Sequence, residues 1–276
     1  MTRPSGVTIA FAGALVRIEH HGRRPARIVR FLFRDAARSR TRSPDSTFVL
    51  SDSPTEDGLR LDRDGASRYQ GNSDAAAAAT LLEAVLYDLA DYSRGGLVFH
   101  AAAVVGDGRT ILLPGQTGAG KTTLTSWLLS KGLRYQSDEL AFIASGSLAV
   151  SGLPRPLNVK RQATGILETE LGIDTLVPDV MRTPAASLVP VRLLSPEGPA
   201  GPAELGEIVF PRHDARATFG LTRLSPAQAG LRLMGCLINA RNLDMHGFPE
   251  VTRLVRERPA YDLSYGSFDQ LGEWIG

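Results

Sequence analysis

Eight consecutive residues, Gly115-Gln116-Thr117-Gly118-Ala119-Gly120-Lys121-Thr122, constrain this chain more than any other stretch. They fit the pattern G-x-x-x-x-G-K-[ST] at every fixed position, a pattern that means a phosphate-binding loop only between a strand and a helix. Ile111-Leu112-Leu113 is a short apolar run that can end a buried strand, and Leu124, Trp127, Leu128 and Leu129 follow at helical spacing. The glycines let backbone N–H groups turn inward around a polyphosphate, and the helix adds the positive end of its dipole. In this reading Gly115 to Thr123 form the nucleotide site: the loop amides and Thr123 hold phosphate, and Lys121 reaches the β and γ phosphates. The Thr122 hydroxyl holds Mg²⁺. A glycine-rich turn that matches by chance is the competing reading, and both flanks weigh against it.

Composition narrows the setting. The chain has 276 residues, 43% hydrophobic and 22% charged, enough for a substantial core in one large or two small domains. A net charge of +2 gives no argument for nucleic acid. Cys236 is the single cysteine and lies in an apolar stretch, which excludes an internal disulfide framework and suits a reducing cytoplasm. No apolar run reaches membrane-spanning length, and Met1-Thr2-Arg3-Pro4-Ser5 lacks the features of a signal peptide. Lysine stands only at 121, 131 and 160, so arginine supplies the other 28 of the 31 basic residues. A chain that uses arginine almost everywhere keeps lysine inside the loop, where a compact ammonium on a flexible stem fits and a planar guanidinium does not. Lys131 is explained as a cation in the last helical turn; Lys160 is not so easily explained and remains a candidate.

Residues 7–19 alternate around Gly13 as a hairpin. From Pro25 the pattern predicts a helix with Ile28, Val29, Leu32, Phe33 and Ala36 on one face and Arg27, Arg30, Arg34 and Arg38 on the other. Ten arginines against three acids make the first fifty residues the most basic region. An acidic partner could dock there, but no aromatic residues interleave as single-strand binding would want, so a solvated helix face is the simpler reading. Short strands are expected at 47–50, 59–61 and 67–69, with Asp64-Gly65 turning the last two. A helix capped by Ser73 or Asp74 runs through the alanines to Leu89. Leu97 to Val105 is an apolar strand interrupted only by His100. Gly132 caps the helix after the loop, and a strand then leads to Asp138-Glu139 and a second hairpin. Residues 151–206, rich in Pro and Gly, are hard to assign; within them Arg155 and Lys160 sit on a proline-stiffened segment. Glu207 to Pro211 reads as a strand, Ser225-Pro226 opens a helix running to Ile238, and a last helix covers Phe268 to Ile275.

Strand alternation predicts that Asp138 and Glu139 point to opposite faces, although either could curl over a phosphate from the strand's end. One carboxylate would help hold Mg²⁺ and one could take the proton of an attacking hydroxyl. His100, Lys121 and Asp138 are spaced by 21 and 17 residues. The set Phe99-His100-Ala101-Ala102-Ala103-Val104-Val105, the loop, Gly132 and Asp138-Glu139 resembles the HPr kinase/phosphorylase family over about residues 97–143. That resemblance implies a mixed α/β kinase fold related to phosphoenolpyruvate carboxykinase, ATP and Mg²⁺ as cofactors, and transfer to a serine of a protein or precursor peptide. It implies phosphate and metal binding by Lys121 and Thr122, His100 beside the reaction centre, and a proton acceptor in the second acid. The second acid here is Glu139 where the family has Asp, which leaves open whether Asp138 or Glu139 is the base and which holds the metal. The family's downstream Leu-Glu-x-Arg-Gly segment has no clear copy, and residues 152–160 stand near its place.

The expectation is therefore an α/β, mixed α+β chain: an arginine-rich N-terminal α+β region over 1–93 that could dock a partner, and a kinase-like domain over 94–276. Catalysis falls to His100, Lys121, Asp138 and Glu139, the metal to Thr122, Asp138 and Glu139, and substrate contact to Arg155 or Lys160. The expected partner is a protein or peptide with a serine hydroxyl, in the cytoplasm, with no membrane or nucleic acid, and a homo-oligomer is open. A small-molecule kinase and a nucleotide-responsive module without transfer are the alternatives.

Overall fold

The computed structural model describes residues 5–40, 43–53, 58–172 and 177–275. Ala12 and Gly13 carry φ of 48° and 76°, the twist that a two-residue hairpin wants. β1 (Ser5–Phe11) and β2 (Ala14–His21) accordingly pair antiparallel around them. α1 (Arg23–Phe33) buries Ile28, Val29, Leu32 and Phe33, the face that its periodicity predicts. It stops at Phe33, so Arg34 only caps it and Arg38 falls in the two-residue strand β3 (Arg38–Ser39) instead of on the helix. β4 (Ser46–Asp52), β5 (Leu59–Arg63) and β6 (Ala66–Gly71) complete a six-stranded sheet in the order β3-β1-β2-β4-β5-β6. α2 (Asp74–Asp91), capped by the Ser73 hydroxyl accepting from the Ala76 N–H, packs on α1, β2 and β5.

The second sheet is built on β7 (Gly96–Gly106), with β8 (Arg109–Pro114), α3 (Lys121–Ser130), β9 (Arg134–Ser137), β10 (Leu140–Ala144) and β11 (Ala149–Gly152) following. β12 (Leu157–Lys160), α4 (Arg161–Leu171), β13 (Met181–Arg182) and β14 (Ala186–Val189) make a small three-stranded sheet with its helix, order β12-β14-β13. The chain then returns through β15 (Ala203–His213), β16 (Gly220–Arg223), α5 (Pro226–Met234), α6 (Phe248–Glu257), β17 (Ala260–Tyr265) and the short α7 (Gly272–Ile275). The order is β11-β10-β7-β8-β15-β17-β16, with β9 on β7 and β11 also touching β15. Alternation along β7 sends Phe99, Ala101 and Ala103 into the core beneath α5 and α6, and Ala102 and Val104 into the core beneath α3. The protein is a mixed α/β fold with helices on both faces of this sheet. The N-terminal core reaches across to Val98, Leu140 and Leu153, and Phe11 meets Phe142 edge to face at 6.2 Å.

Three boundaries differ from expectation. β15 extends over Pro211 because the Ile208 N–H faces β17, donating to Pro259. The Pro211 nitrogen therefore faces the β8 edge, beyond Ile208, where pairing with β8 ends. α5 has the full Ser225–Gln228 capping box but ends at Met234, not Ile238. Residues 236–238 instead supply partners to an open edge of β7: His100 N–H donates to the Cys236 carbonyl at 2.8 Å and Ile238 N–H to that of Val98 at 2.9 Å. The last expected helix is a 3₁₀ turn, Phe268–Leu271, followed by α7.

Candidate functional site

Both edges of β7 change partners around His100. On one edge β9 pairs with residues 103–105 and β10 with residues 96–100; on the other, β8 pairs with 101–106 before residues 236–238 take over. Chains leave the sheet at such a point, and the space between them is where α/β folds make crevices. Alternation places His100 on the face that carries α3. The glycine loop departs from the end of β8 here, and Asp138-Glu139 fill the break between β9 and β10.

The loop has the backbone its glycines allow. Gly118 and Gly120 sit at φ of 95° and 85°, and a Cβ on Gly115 would come within 3.1 Å of that of Ala119. Gly120 caps α3 without any side-chain acceptor, so the first N–H groups of α3 are open toward the cavity. The Lys121 ammonium folds back to donate to the carbonyls of Gly115 (2.7 Å) and Gln116 (3.1 Å). Burial pushes its pKa down, against the pull of Glu139.

The expected alternation of Asp138 and Glu139 does not hold, because neither residue belongs to a strand. The Ser137 hydroxyl accepts from the N–H groups of Glu139 and Leu140 and bends the chain there. Both carboxylates consequently meet one guanidinium. Arg155 Nη2 lies 2.7 Å from Glu139 Oε2 and 3.2 Å from Asp138 Oδ1. Arg155 was a candidate for substrate contact; its side chain is 2% exposed and committed to the acid pair. The Tyr135 hydroxyl donates to Asp138 Oδ1 at 3.0 Å, while Asp138 Oδ2 is buried without a hydrogen bond. Burial pushes the Asp138 carboxyl up, with Arg155 opposing. Burial would raise Glu139 too, but the hydrogen bond from His100 and the charge of Arg155 outweigh it and hold Glu139 at about 2. His100 Nε2 is 3.2 Å from Glu139 Oε1. Each acid thus has a distinct environment, Asp138 buried and Glu139 partly open to solvent.

Three cavities run together here. The central one, about 450 Å³, is lined by Thr117, Lys121, Thr122, both acids and Lys160 at its rim. At one end it shares Gly120, Thr123, Ile166 and His213 with a cavity of about 250 Å³ walled by Tyr265 and Phe268. At the other it shares His100, Glu139, Arg155 and Asn158 with a cavity of about 700 Å³ that extends beneath α2. Asp138 borders the central cavity alone, whereas Glu139 borders both it and the larger one.

In the small cavity the His213 and Tyr265 rings lie 5.3 Å apart and Tyr265 stacks toward Phe268. The Tyr265 hydroxyl is buried without a partner. None of these aromatic residues was expected from sequence, since they converge from β15, β17 and the turn beyond. Among the described residues no cluster of three or more His, Cys, Asp or Glu side chains forms a metal site. Thr122 and Asp138 border one cavity, and a hydroxyl with a carboxylate is a hard-oxygen donor set of the kind Mg²⁺ takes alongside phosphate oxygens.

No protein-family model matches the chain, and no curated protein matches it. No described helix is long and apolar enough to cross a membrane.

Proposed function

We propose that this chain is an ATP- and Mg²⁺-dependent kinase that phosphorylates a serine hydroxyl of a protein or peptide. The observation that carries the reading is the serial arrangement of the cavities, with the motif loop in the middle and the acid pair where the middle one opens into the largest. The aromatic cavity beside His213 and Tyr265 suits a nucleobase, the loop suits the phosphates, and the γ-phosphate then points toward Glu139. Resemblance to the HPr kinase/phosphorylase family supports the same roles for His100, Lys121, Thr122 and the acids.

In this mechanism the bond between the γ-phosphorus and the β–γ bridging oxygen breaks, the serine oxygen bonds to phosphorus, and ADP leaves. Lys121 leaves its loop carbonyls for the phosphate oxygens, and the loop amides stabilise the charge that develops there. Thr122 and Asp138 are the residues that would hold Mg²⁺, and the metal would supply neutralisation of phosphate charge. Glu139 aligns the serine hydroxyl and receives its proton. A carboxylate held near the bottom of its range is a weak base, which suffices for a loose transition state in which the hydroxyl loses its proton late. Arg155 keeps the two carboxylates apart from each other's charge, and His100 fixes the orientation of Glu139. The single cysteine suits action in a reducing compartment such as the cytoplasm.

The test is a set of three variants assayed for Mg-ATP binding and for phosphoryl transfer. Glu139→Gln should bind Mg-ATP and fail to transfer, Asp138→Asn should need more Mg²⁺, and Lys121→Ala should lose both properties. Transfer by Lys121→Ala at the wild-type rate contradicts the mechanism.

A further inference from the structure

The largest of the three cavities has no part in holding a nucleotide, yet it opens onto the same Glu139 and His100. Its long wall is α2. That helix buries Ala78, Leu81, Val85 and Leu89 against the N-terminal sheet, and turns a second stripe, Ala79, Glu83, Leu86, Tyr87 and Ala90, toward the cavity. These positions recur at helical spacing, so the stripe is continuous. From Ala79 to Asp91 it is about 18 Å long at 1.5 Å per residue, the length of five or six residues of extended chain.

The opposite wall is residues 238–241, and it is firmly anchored. The Asn239 side chain accepts from the Val98 N–H at 2.9 Å and donates to the Gly96 carbonyl at 3.0 Å. Asn242 Nδ2 donates to the carbonyls of Asp91 (2.7 Å) and Ser93 (3.0 Å), tying this wall to the end of α2. Two large apolar side chains stay open to solvent across the trench, Tyr87 at 63% and Ile238 at 41% exposure. Arg241 pairs with Asp91 at one end. Glu83, midway along the wall, is exposed and has no ion-pair partner among the described residues.

We propose that this trench reads the acceptor: an extended peptide segment lies along α2 with its serine at Glu139. Apolar residues of the peptide cover Leu86, Tyr87 and Ile238, and a basic residue faces Glu83. The proposal rests on the kinase reading and adds what the acceptor must look like. Length favours an extended chain over a compact metabolite, and the unpaired carboxylate at Glu83 asks for a cation. The docking surface of the N-terminal region is then the apolar and acidic stripe of α2, not the arginine face of α1.

The experiment uses the full chain, Mg-ATP labelled at the γ position, and a degenerate library of peptides with one fixed central serine. The wild type should select apolar residues beside the serine and Lys or Arg at one position. Glu83→Lys should turn that basic preference acidic, shifting the ratio of kcat/KM values by about tenfold or more. Tyr87→Ala should raise the peptide KM about tenfold with kcat little changed. Both sites are exposed, so the melting temperature and the affinity for Mg-ATP should stay at wild-type values. Unchanged preferences in both variants overturn the trench and leave the kinase reading intact. A wild type that binds Mg-ATP and phosphorylates no peptide overturns the peptide acceptor. A wild type that binds no Mg-ATP overturns both.

Discussion

Asp88 in the N-terminal region and Asp138 in the second sheet are both 1% exposed, and each meets an arginine. Asp88 lies on α2 beside the partly exposed Arg63 guanidinium, 2.9 Å away, and the second acid near that cation, Asp64 at 3.8 Å, is open to solvent. Asp138 shares a sealed arginine with a second acid, takes a tyrosine hydroxyl as well, and lines a cavity. The first arrangement neutralises a charge inside a wall between helix and strand. The second holds two carboxylates close together in different environments, which separates their proton affinities. Buried charge alone does not mark a site. Buried charge that is over-supplied with acid, at a break in a strand and open to a cavity, does.

Removing charge from each place sharpens this contrast. The largest effect is expected for Lys121→Ala, where phosphoryl transfer should fall by about 10³-fold or more in a single-turnover assay. Arg63→Met, measured by the same assay, should leave transfer within about twofold, since that pair touches no substrate. Next comes stability. Arg155→Met leaves Asp138 buried without a cation and should cost about 3–5 kcal/mol in chemical denaturation. Arg63→Met should cost less, because its partly exposed side lets water reach the carboxylate; equal losses would erase the distinction between the two pairs.

Acid supplies a subtler separation. The Glu139 carboxyl is lowered from 4.5 to about 2, so the folded state binds its proton less tightly than the unfolded state does. That stability is fully present above about pH 4.5 and disappears as the pH falls toward 2. Asp138 is shifted the other way, so its protonation on acidification favours the fold. Glu139→Gln should flatten the acid limb of a pH–stability curve over that window, and Asp138→Asn should not. The smallest effect is expected on the arginine face of α1. Arg27 pairs with Asp74 at a side-chain exposure of 70%, so Arg27→Ala should change stability by less than about 1 kcal/mol.

The same contrast explains what the sequence disclosed. Local signals set the β1–β2 and β5–β6 turns, the Ser73 and Ser225 caps, and the strand–loop–helix around Lys121. Each depends on residues within a few positions of one another. α6 was legible too, with Pro249 in its first turn and Val251, Leu254 and Val255 on one face, yet it went unpredicted. β12 to β14 were not legible, because strands of two to four residues take their pairing from distant partners. Arg155 was visible as a cation, but nothing local says that it folds back onto Asp138-Glu139. The acid pair misled for a related reason: alternation applies to strands, and Ser137 ends the strand one residue earlier. His213, Tyr265 and Phe268 meet only because β15 and β17 run parallel side by side.

The most direct test of the proposed transfer site is a crystal structure of the full chain with Mg²⁺ and a non-hydrolysable ATP analogue. The base should lie against Tyr265 and Phe268, the phosphates over Gly115 to Thr123, and the γ-phosphate between Lys121 and Glu139. A nucleotide bound in the opposite direction, with its base beneath α2, or bound away from the loop, would contradict the proposed site.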